Sequence, residues 1–224
     1  MDTVIIGASG GIGAALAERF AAQGDQVHTL SRSEGTIDLA DAASIAAAAG
    51  ALPFPAVRRL IVATGLLHEA GLAPERSLRD LDGSRLERAF LVNAIGPALV
   101  LRHFVPLLAR SGRVEMAFLS ARVGSIADNR LGGWYGYRAS KAALNQLVRT
   151  AAIEVGRSRP EAVLVALHPG TVDTAMSRPF QANVPAQKLF TPAHSAACLA
   201  DVLGKLSPAD SGGFFDWQGE AIPF

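Results

Sequence analysis

The sequence predicts an α/β protein in which a doubly wound parallel β-sheet carries helices on both faces. Short apolar runs of β-forming residues alternate along the chain with longer stretches of helical spacing. A chain of 224 residues, half of them hydrophobic and 18% charged, has enough apolar material for one well-filled core. Strands separated by helices need right-handed crossovers, and these place parallel strands side by side between two helical layers.

The first unit of this pattern is a strand, a glycine-rich turn and a helix. The run TVIIGA is typical of a strand buried on both faces, and GIGAALAERFAAQG shows helical spacing and ends at Gly24. Between them lies GASGGIG, residues 7–13. A glycine turn that leads into a helix N-terminus offers backbone N–H groups to a dinucleotide pyrophosphate, so this turn predicts a nucleotide site. The alternative is a glycine-rich turn that binds no ligand.

The later elements continue the alternation. Strands are predicted in QVHTL, RRLIVATG, RVEMAFLS and AVLVALHPG, and helices over 84–110 and 138–156. The alanine-rich segment 40–51 stands where a crossover helix is needed, and alanine is the best helix former. We therefore expect one domain.

Composition argues against several other classes of protein. A net charge of +1 without a basic cluster gives no reason to expect binding to nucleic acid or to an anionic membrane. The uncharged run 42–57 is too short for a membrane span and contains Pro53 and Pro55. A strand within six residues of the first methionine leaves no room for a secretory signal, so we expect a cytoplasmic location. No metal site is expected, because the single cysteine and the histidines lack ligand spacing: Cys198, His28, His68, His103, His168 and His194.

Several motifs occur together in one order. The glycines of the first turn are spaced G-x-x-x-G-x-G, and VATG, VNAIGP, GGWY, YRASK, HPGTVDT and SGGFFDWQG follow. This set resembles the short-chain dehydrogenase/reductase family, and within it the short carbonyl-reductase-like and C-factor-like members. The resemblance implies a single NAD(P)-binding Rossmann domain over residues 1–224, with a short substrate loop at about 175–190.

Tyr137 and Lys141 are the predicted catalytic pair. They are four residues apart on a predicted helix, so their side chains share one face, and we expect the ammonium to lower the pKa of the phenol. The resemblance implies that Tyr137 exchanges a proton with the substrate oxygen and that Lys141 also holds the nicotinamide ribose. Asn93 has apolar neighbours, which predicts a buried amide with hydrogen-bond partners. The resemblance gives Asn93 a water in a proton path to the lysine, and the alternative is a structural amide.

The serine that the family uses to bind the substrate oxygen is replaced in this chain. The family has a Ser-Ser pair at the end of a central strand and uses the second residue, and here FLSARVGSI places Ser120 first and Ala121 second. Alternation along a strand points Ser120 away from the nicotinamide if residue 121 faces it. Ser125, four residues further on, is our choice for the replacement; Ser120, or no serine at all, remains an alternative.

The end of the second strand bears on the choice of cofactor. Ser31 and Arg32 stand where an acidic residue would bind the ribose of NAD, and an arginine there suits the 2′-phosphate of NADP. NADP is therefore predicted, while Glu34 nearby keeps NAD as the less favoured alternative. The cofactor-binding residues that we predict, from the glycine turn and the resemblance, are Gly7, Ser9, Gly10, Gly11, Ile12, Gly13, Ser31, Arg32, Asp38, Leu39, Ala63, Thr64, Gly65, Asn93, Tyr137, Lys141, Pro169, Gly170, Val172 and Thr174.

Together these features predict an NADP-dependent oxidoreductase that acts on a small carbonyl or alcohol substrate. The alternative is a nucleotide-binding signalling or regulatory protein with little turnover, which Ala121 keeps open. The resemblance also implies a homodimer or homotetramer that pairs through the helices holding Asn93 and Tyr137. Leu99, Phe104 and Leu107 are candidates for that interface, and the alternative places them in the monomer core.

Overall fold

A computed structural model describes residues 1–53 and 56–224. Its centre is a sheet of six parallel strands in the order β2-β1-β3-β4-β5-β8. A separate pair, β6 and β7, is also parallel. The strands are β1 (Asp2–Ile6), β2 (Gln26–Leu30), β3 (Arg59–Val62), β4 (Val114–Leu119), β5 (Ala162–His168), β6 (Thr171–Val172), β7 (Leu189–Phe190) and β8 (Phe214–Asp216).

Helices cover both faces of the sheet, as predicted. They are α1 (Gly11–Ala22), α2 (Ala42–Gly50), α3 (Gly83–Phe90), α4 (Gly96–Phe104), α5 (Tyr135–Ser158) and α6 (Pro192–Lys205). A π-helical segment, Leu91–Ile95, joins α3 to α4. The helix predicted over 84–110 is therefore three consecutive helical segments followed by a short turn, whereas the helix predicted over 138–156 is continuous and slightly longer.

Two separate apolar cores lie on the two faces of the sheet. Leu16 and Phe20 of α1 pack with α6 on one face. The other face is covered by α2, α4 and α5, and Phe104 is central to it with 1% of its surface exposed. The choice of Phe104 as an interface residue is therefore wrong, because the side chain is already used in the monomer core. Leu99 and Leu107 are half-buried against the same core.

The sixth strand, β8, was not predicted. It has only three residues and lies in the C-terminal SGGFFDWQG segment, where its main chain pairs with β5 between Phe214↔Ala166 and Asp216↔His168. A run this short carries no readable periodicity, so its pairing depends on the neighbouring strand.

The stretch Gly83–Leu107 is long and apolar enough to cross a membrane by length and composition. Core helices of globular proteins share these properties, and the buried side chains Val100 and Phe104 pack here against the sheet. The run 42–57, which we predicted is too short to span a membrane, includes Phe54 and Pro55, and these two lie outside the described residues.

Gly96, at the start of α4, allows the helix to approach the loop after β2 closely. A methyl group added at Gly96 would lie 2.4 Å from the carbonyl oxygen of Leu39. Since backbone atoms form this contact, a side chain at residue 96 would push α4 and the loop apart.

We therefore expect Gly96→Ala to destabilise the protein by about 1–3 kcal/mol, measured by urea unfolding. Gly156→Ala is the matched control, because in the described part of the chain no atom beyond the adjoining backbone of α5 lies within 4 Å of the added methyl group. That variant should be stabilised by about 0.5–1 kcal/mol, the usual difference between glycine and alanine in a helix. Equal effects of the two substitutions would show that the contact with Leu39 is not tight.

Candidate active site

A cavity of about 500 Å³ opens at the carboxyl ends of the strands, beside the point where the strand order reverses between β1 and β3. This is the position at which open parallel sheets bind their ligands. Most of the predicted cofactor residues line it: Gly7, Ser9, Gly10, Gly11, Ile12, Ser31, Arg32, Asp38, Leu39, Ala63, Thr64, Gly65 and Thr174.

The glycine turn at the end of β1 presents bare backbone to this cavity. Gly7 has a φ of +90°, and its carbonyl oxygen accepts a hydrogen bond from the N–H of Gly10 at 3.0 Å. Helix α1 has no side-chain cap at its N-terminus and no acidic residue in its first turn, so its first N–H groups face the cavity uncompensated. Gly13 lies beneath the turn, where an added methyl group would be 2.2 Å from the oxygen of Gly7.

These residues fit a nicotinamide dinucleotide. The helix N-terminus suits its phosphates. The hydroxyl Oγ1 of Thr64 lies at the cavity wall, and it is buried with no hydrogen-bond partner among the described residues. The side chain of Thr174 lies against Gly11, 3.0 Å from the position of an added methyl group. The segment after β5 therefore closes over the glycine turn.

Charged side chains of both signs surround the end of the cavity near β2. The exposed Arg32 stands on the wall, and the hydroxyl of the neighbouring Ser31 donates to a carboxylate oxygen of Glu34 at 3.0 Å. Arg88 of α3 holds Glu69 by two hydrogen bonds of 2.7 and 3.2 Å, and this pairing lowers the pKa of Glu69. A ligand with a phosphate or a ribose diol at this end meets both cations and carboxylates.

Tyr137 and Lys141 lie on the first two turns of α5. Lys141 is buried, its Nζ donates to the carbonyl oxygen of Leu119 at 2.8 Å, and the same nitrogen is 5.9 Å from the centre of the Tyr137 ring. Burial lowers the pKa of Lys141 to about 7 and raises the pKa of Tyr137 to about 12. The expectation that Lys141 lowers the pKa of the phenol is therefore wrong for the protein alone, because burial disfavours the charged form of each group, the ammonium and the phenolate.

Asn93 is buried within the π-helical segment, as its apolar neighbours predicted. Its Oδ1 accepts from the N–H of Leu66 at 2.7 Å, and its Nδ2 donates to the carbonyl oxygen of Leu66 at 2.8 Å and to the hydroxyl of Ser140 at 3.0 Å. Ser140 in turn donates to the carbonyl oxygen of Tyr137. Asn93 thus ties the loop after β3 to the helix that carries the tyrosine.

The cavity reaches this cluster at Gly65. A methyl group added there would lie 3.3 Å from Nζ of Lys141 and 3.7 Å from Oδ1 of Asn93. The glycine turn and the Tyr137–Lys141 pair, far apart in sequence, are therefore two ends of one site.

The serines near Ala121 differ in their surroundings. Ser120 is buried and its hydroxyl donates to Oδ1 of Asn145 on α5, at 2.7 Å, so it is directed into the protein. Ser125 is also buried and its Oγ accepts from the N–H of Asp128 at 3.0 Å. The turn between them packs closely against α5, because a methyl group added at Gly124 would be 2.8 Å from Cβ of Lys141.

The HPGTVDT motif, which supplied four of the predicted cofactor-binding residues, lies only partly at the cavity. Pro169 accepts a hydrogen bond from Ser195 of α6, Gly170 has a φ of +79° with Phe190 packed against it, and Val172 belongs to β6. Among the four residues, only Thr174 lines the cavity. Gly13, Asn93, Tyr137 and Lys141 also lie beside the cavity rather than on its wall.

Further wall residues were missed from the sequence. Val92 is adjacent to Asn93 and Leu66 to Gly65, so each carried a signal by proximity. Glu69 and Arg88 carried none, because they are 19 residues apart and meet only in the folded chain. The wall residues that we did not predict are Ile37, Leu66, His68, Glu69, Arg88, Val92, Ala175 and Met176.

Known proteins are similar to this chain in both sequence and fold. The family model for short chain dehydrogenase matches residues 2–185. The C-signal protein of Myxococcus xanthus is 40% identical over 149 residues, which cover 66% of this chain and 84% of that protein. A carbonyl reductase from Pseudomonas aeruginosa PAO1 is 27% identical with a TM-score of 0.79, covering 100% of this chain and 99% of the other.

The NADPH-bound carbonyl reductase from chicken fatty liver has the same fold, with a TM-score of 0.84 at 24% identity, over 100% of this chain and 98% of that one. With the family model matched over most of its length, and with the parallel sheet and glycine turn in place, this chain belongs to the short-chain dehydrogenase/reductase family of oxidoreductases.

Proposed function

We propose that this protein is an NADP-dependent oxidoreductase that transfers a hydride between nicotinamide and a small carbonyl or alcohol substrate. One observation carries the proposal: Gly65, on the wall of the nucleotide cavity, lies directly beside Lys141 and Asn93. The relation to the Pseudomonas carbonyl reductase supports a carbonyl substrate. A signalling protein with little turnover is not favoured, because a bound nucleotide alone gives no reason to bury a lysine beside a tyrosine.

The cofactor supplies or accepts the hydride when it is bound. Tyr137 holds the proton: with a pKa of about 12 its phenol stays protonated at neutral pH, and it donates to the carbonyl oxygen during reduction. Lys141, with a pKa of about 7, is able to return a proton to the phenolate and to hold the ribose hydroxyls. Any water that Asn93 holds must donate to Oδ1, since both hydrogens of Nδ2 are used.

Ser125 is proposed to bind the substrate oxygen in place of the family serine. Its Oγ accepts one hydrogen bond, and within the described part of the chain its hydroxyl proton has no acceptor, so that proton is free for a substrate oxygen. Ser120 is less suited, because its proton is directed to Asn145.

Arg32 supports NADP over NAD. An exposed guanidinium on the cavity wall at the end of β2 suits a 2′-phosphate, because its hydrogen bonds to a phosphate are charge-assisted and those to a neutral ribose diol are weaker. The carboxylate of Glu34 lies nearby, where it accepts a hydrogen bond from Ser31, and its negative charge repels a phosphate at this position. The preference therefore depends on the balance between these two charges.

Tyr137→Phe should abolish turnover, since it removes the proton donor, while NADPH affinity stays within about threefold because Lys141 remains. Turnover is followed by NADPH oxidation with a panel of carbonyl compounds, and affinity by quenching of protein fluorescence. Tyr135→Phe, on the same helix, is the matched control and should keep normal turnover. Comparable turnover in Tyr137→Phe would contradict the assignment of the acid.

Arg32→Ala should weaken NADPH binding about ten- to a hundredfold and leave NADH binding almost unchanged, because only NADPH presents a phosphate to the guanidinium. Glu34→Gln is the opposite test: removal of the carboxylate should strengthen NADPH binding. Dissociation constants are measured by titration at fixed ionic strength. Equal losses for both cofactors in Arg32→Ala would mean that Arg32 is structural.

We also propose a homodimer or homotetramer, in which the exposed Ile95 beside α4 and Ile153 of α5 contribute apolar surface. Sedimentation at micromolar concentration should give a mass of at least twice the 23.3 kDa of the chain. Ile153→Glu should shift the mass toward the monomer, whereas Ile126→Glu, in the exposed loop after β4, should leave it unchanged. A monomer in the unmodified protein would refute the assembly.

A further inference from the structure

Trp134 precedes the catalytic helix in a backbone conformation that large side chains rarely adopt. Gly132, Gly133 and Trp134 have φ angles of +65°, +65° and +52°. Two glycines tolerate this left-handed region, but a tryptophan there is an outlier. Such a conformation persists only where the surrounding structure holds it, and it is concentrated at functional sites.

Glu75 holds this segment in place. The main-chain oxygen of Glu75 accepts a hydrogen bond from the N–H of Trp134, and its carboxylate accepts from the N–H of Gly136 at 3.1 Å. Glu75 is itself buried, with 5% of its surface exposed. Trp134 and Gly136 are thus both hydrogen-bonded to the buried Glu75. These bonds fix the backbone at the start of α5 and with it the direction of the indole.

The indole contacts two other rings. Its centre is 6.3 Å from the ring of Tyr137, with the planes at 71°, and 5.2 Å from the ring of Phe180, with the planes at 62°. Phe180 lies in the predicted substrate loop and contacts the ring of His68 at 5.6 Å. His68 lines the nucleotide cavity. Aromatic groups therefore form a continuous wall from the catalytic phenol to the cavity.

We propose that Trp134 and Phe180 are specificity-determining residues that favour carbonyl substrates with a flat aromatic substituent, such as aryl aldehydes and aryl ketones. This rests on the proposed function. Edge-to-face arrangements like those within the wall are available to an aryl ring and not to a saturated ring of the same size, and an aromatic pair of this kind is worth about two- to tenfold in binding. The two side chains carry no charge, so an ionised substituent would lose hydration here without gaining a partner.

The test compares benzaldehyde with cyclohexanecarbaldehyde as substrates with NADPH. The ratio of their kcat/KM values is measured for the unmodified protein, Trp134→Gly and Phe180→Leu. Comparing ratios between variants cancels the difference in intrinsic reactivity of the two aldehydes. Glycine suits the left-handed conformation, so Trp134→Gly removes the ring without adding strain.

We expect the ratio to fall about three- to tenfold in each variant, with the dissociation constant for NADPH unchanged. Phe224→Leu is the control, since this half-exposed C-terminal ring stacks on Phe214 away from the wall, and its ratio should equal that of the unmodified protein. A ratio that stays within twofold of the unmodified protein's in both Trp134→Gly and Phe180→Leu contradicts the proposed specificity role of these residues. It does not contradict the proposed function. If Trp134→Gly does not fold, Phe180→Leu decides.

A binding measurement separates this inference from the proposed function. Benzamide and cyclohexanecarboxamide resemble the two aldehydes but are not reduced, and their dissociation constants are measured with NADPH present. If the unmodified protein reduces neither aldehyde yet binds benzamide more tightly, and Trp134→Gly loses that preference, the wall is supported although the proposed function fails. Equal binding of the two amides to the unmodified protein contradicts the proposed preference for an aryl substituent.

Discussion

The buried ammonium group of Lys141 requires close packing of three segments around it. Its nitrogen donates to the end of β4 at Leu119, and an added methyl group at either Gly65 or Gly124 would press on the lysine. The glycines thus let the ends of β3 and β4 approach α5, and the amide of Asn93 bonds across the same junction. The nucleotide cavity and the tyrosine are held in register because these contacts involve backbone and short side chains that have little freedom to shift.

Burial also determines the chemistry of the pair. The same desolvation that raises the pKa of Tyr137 to about 12 lowers the pKa of Lys141 to about 7. A phenol that keeps its proton at neutral pH is a suitable donor to a carbonyl oxygen, and a lysine that titrates near neutrality is a suitable source for its replacement. In this chain the environment, rather than a direct charge–charge contact, separates the two proton affinities.

The proposed substrate side of the site is built differently from the cavity that would hold the nucleotide. The cavity has backbone and glycine at the end of β1, whereas the proposed substrate side consists of the rings of Trp134 and Phe180, and Glu75 holds the segment that carries Trp134. Trp134 retains an unfavourable backbone conformation at the first residue before the catalytic helix. This unfavourable conformation costs stability at one residue, and it places a large apolar side chain beside the phenol of Tyr137.

The sequence by itself determined the α/β class, five of the six strands of the main sheet, the glycine turn and the Tyr137–Lys141 spacing, because hydrophobic period, glycine position and helical repeat are local properties. Only the tertiary structure decided the rest. It placed Phe104 in the core, paired Glu69 with Arg88, added the short strand β8 and turned Trp134 toward Phe180. It also reversed the expected direction of the Tyr137 pKa, since burial and contact between distant segments are set by how the elements pack and not by the spacing of residues along the chain.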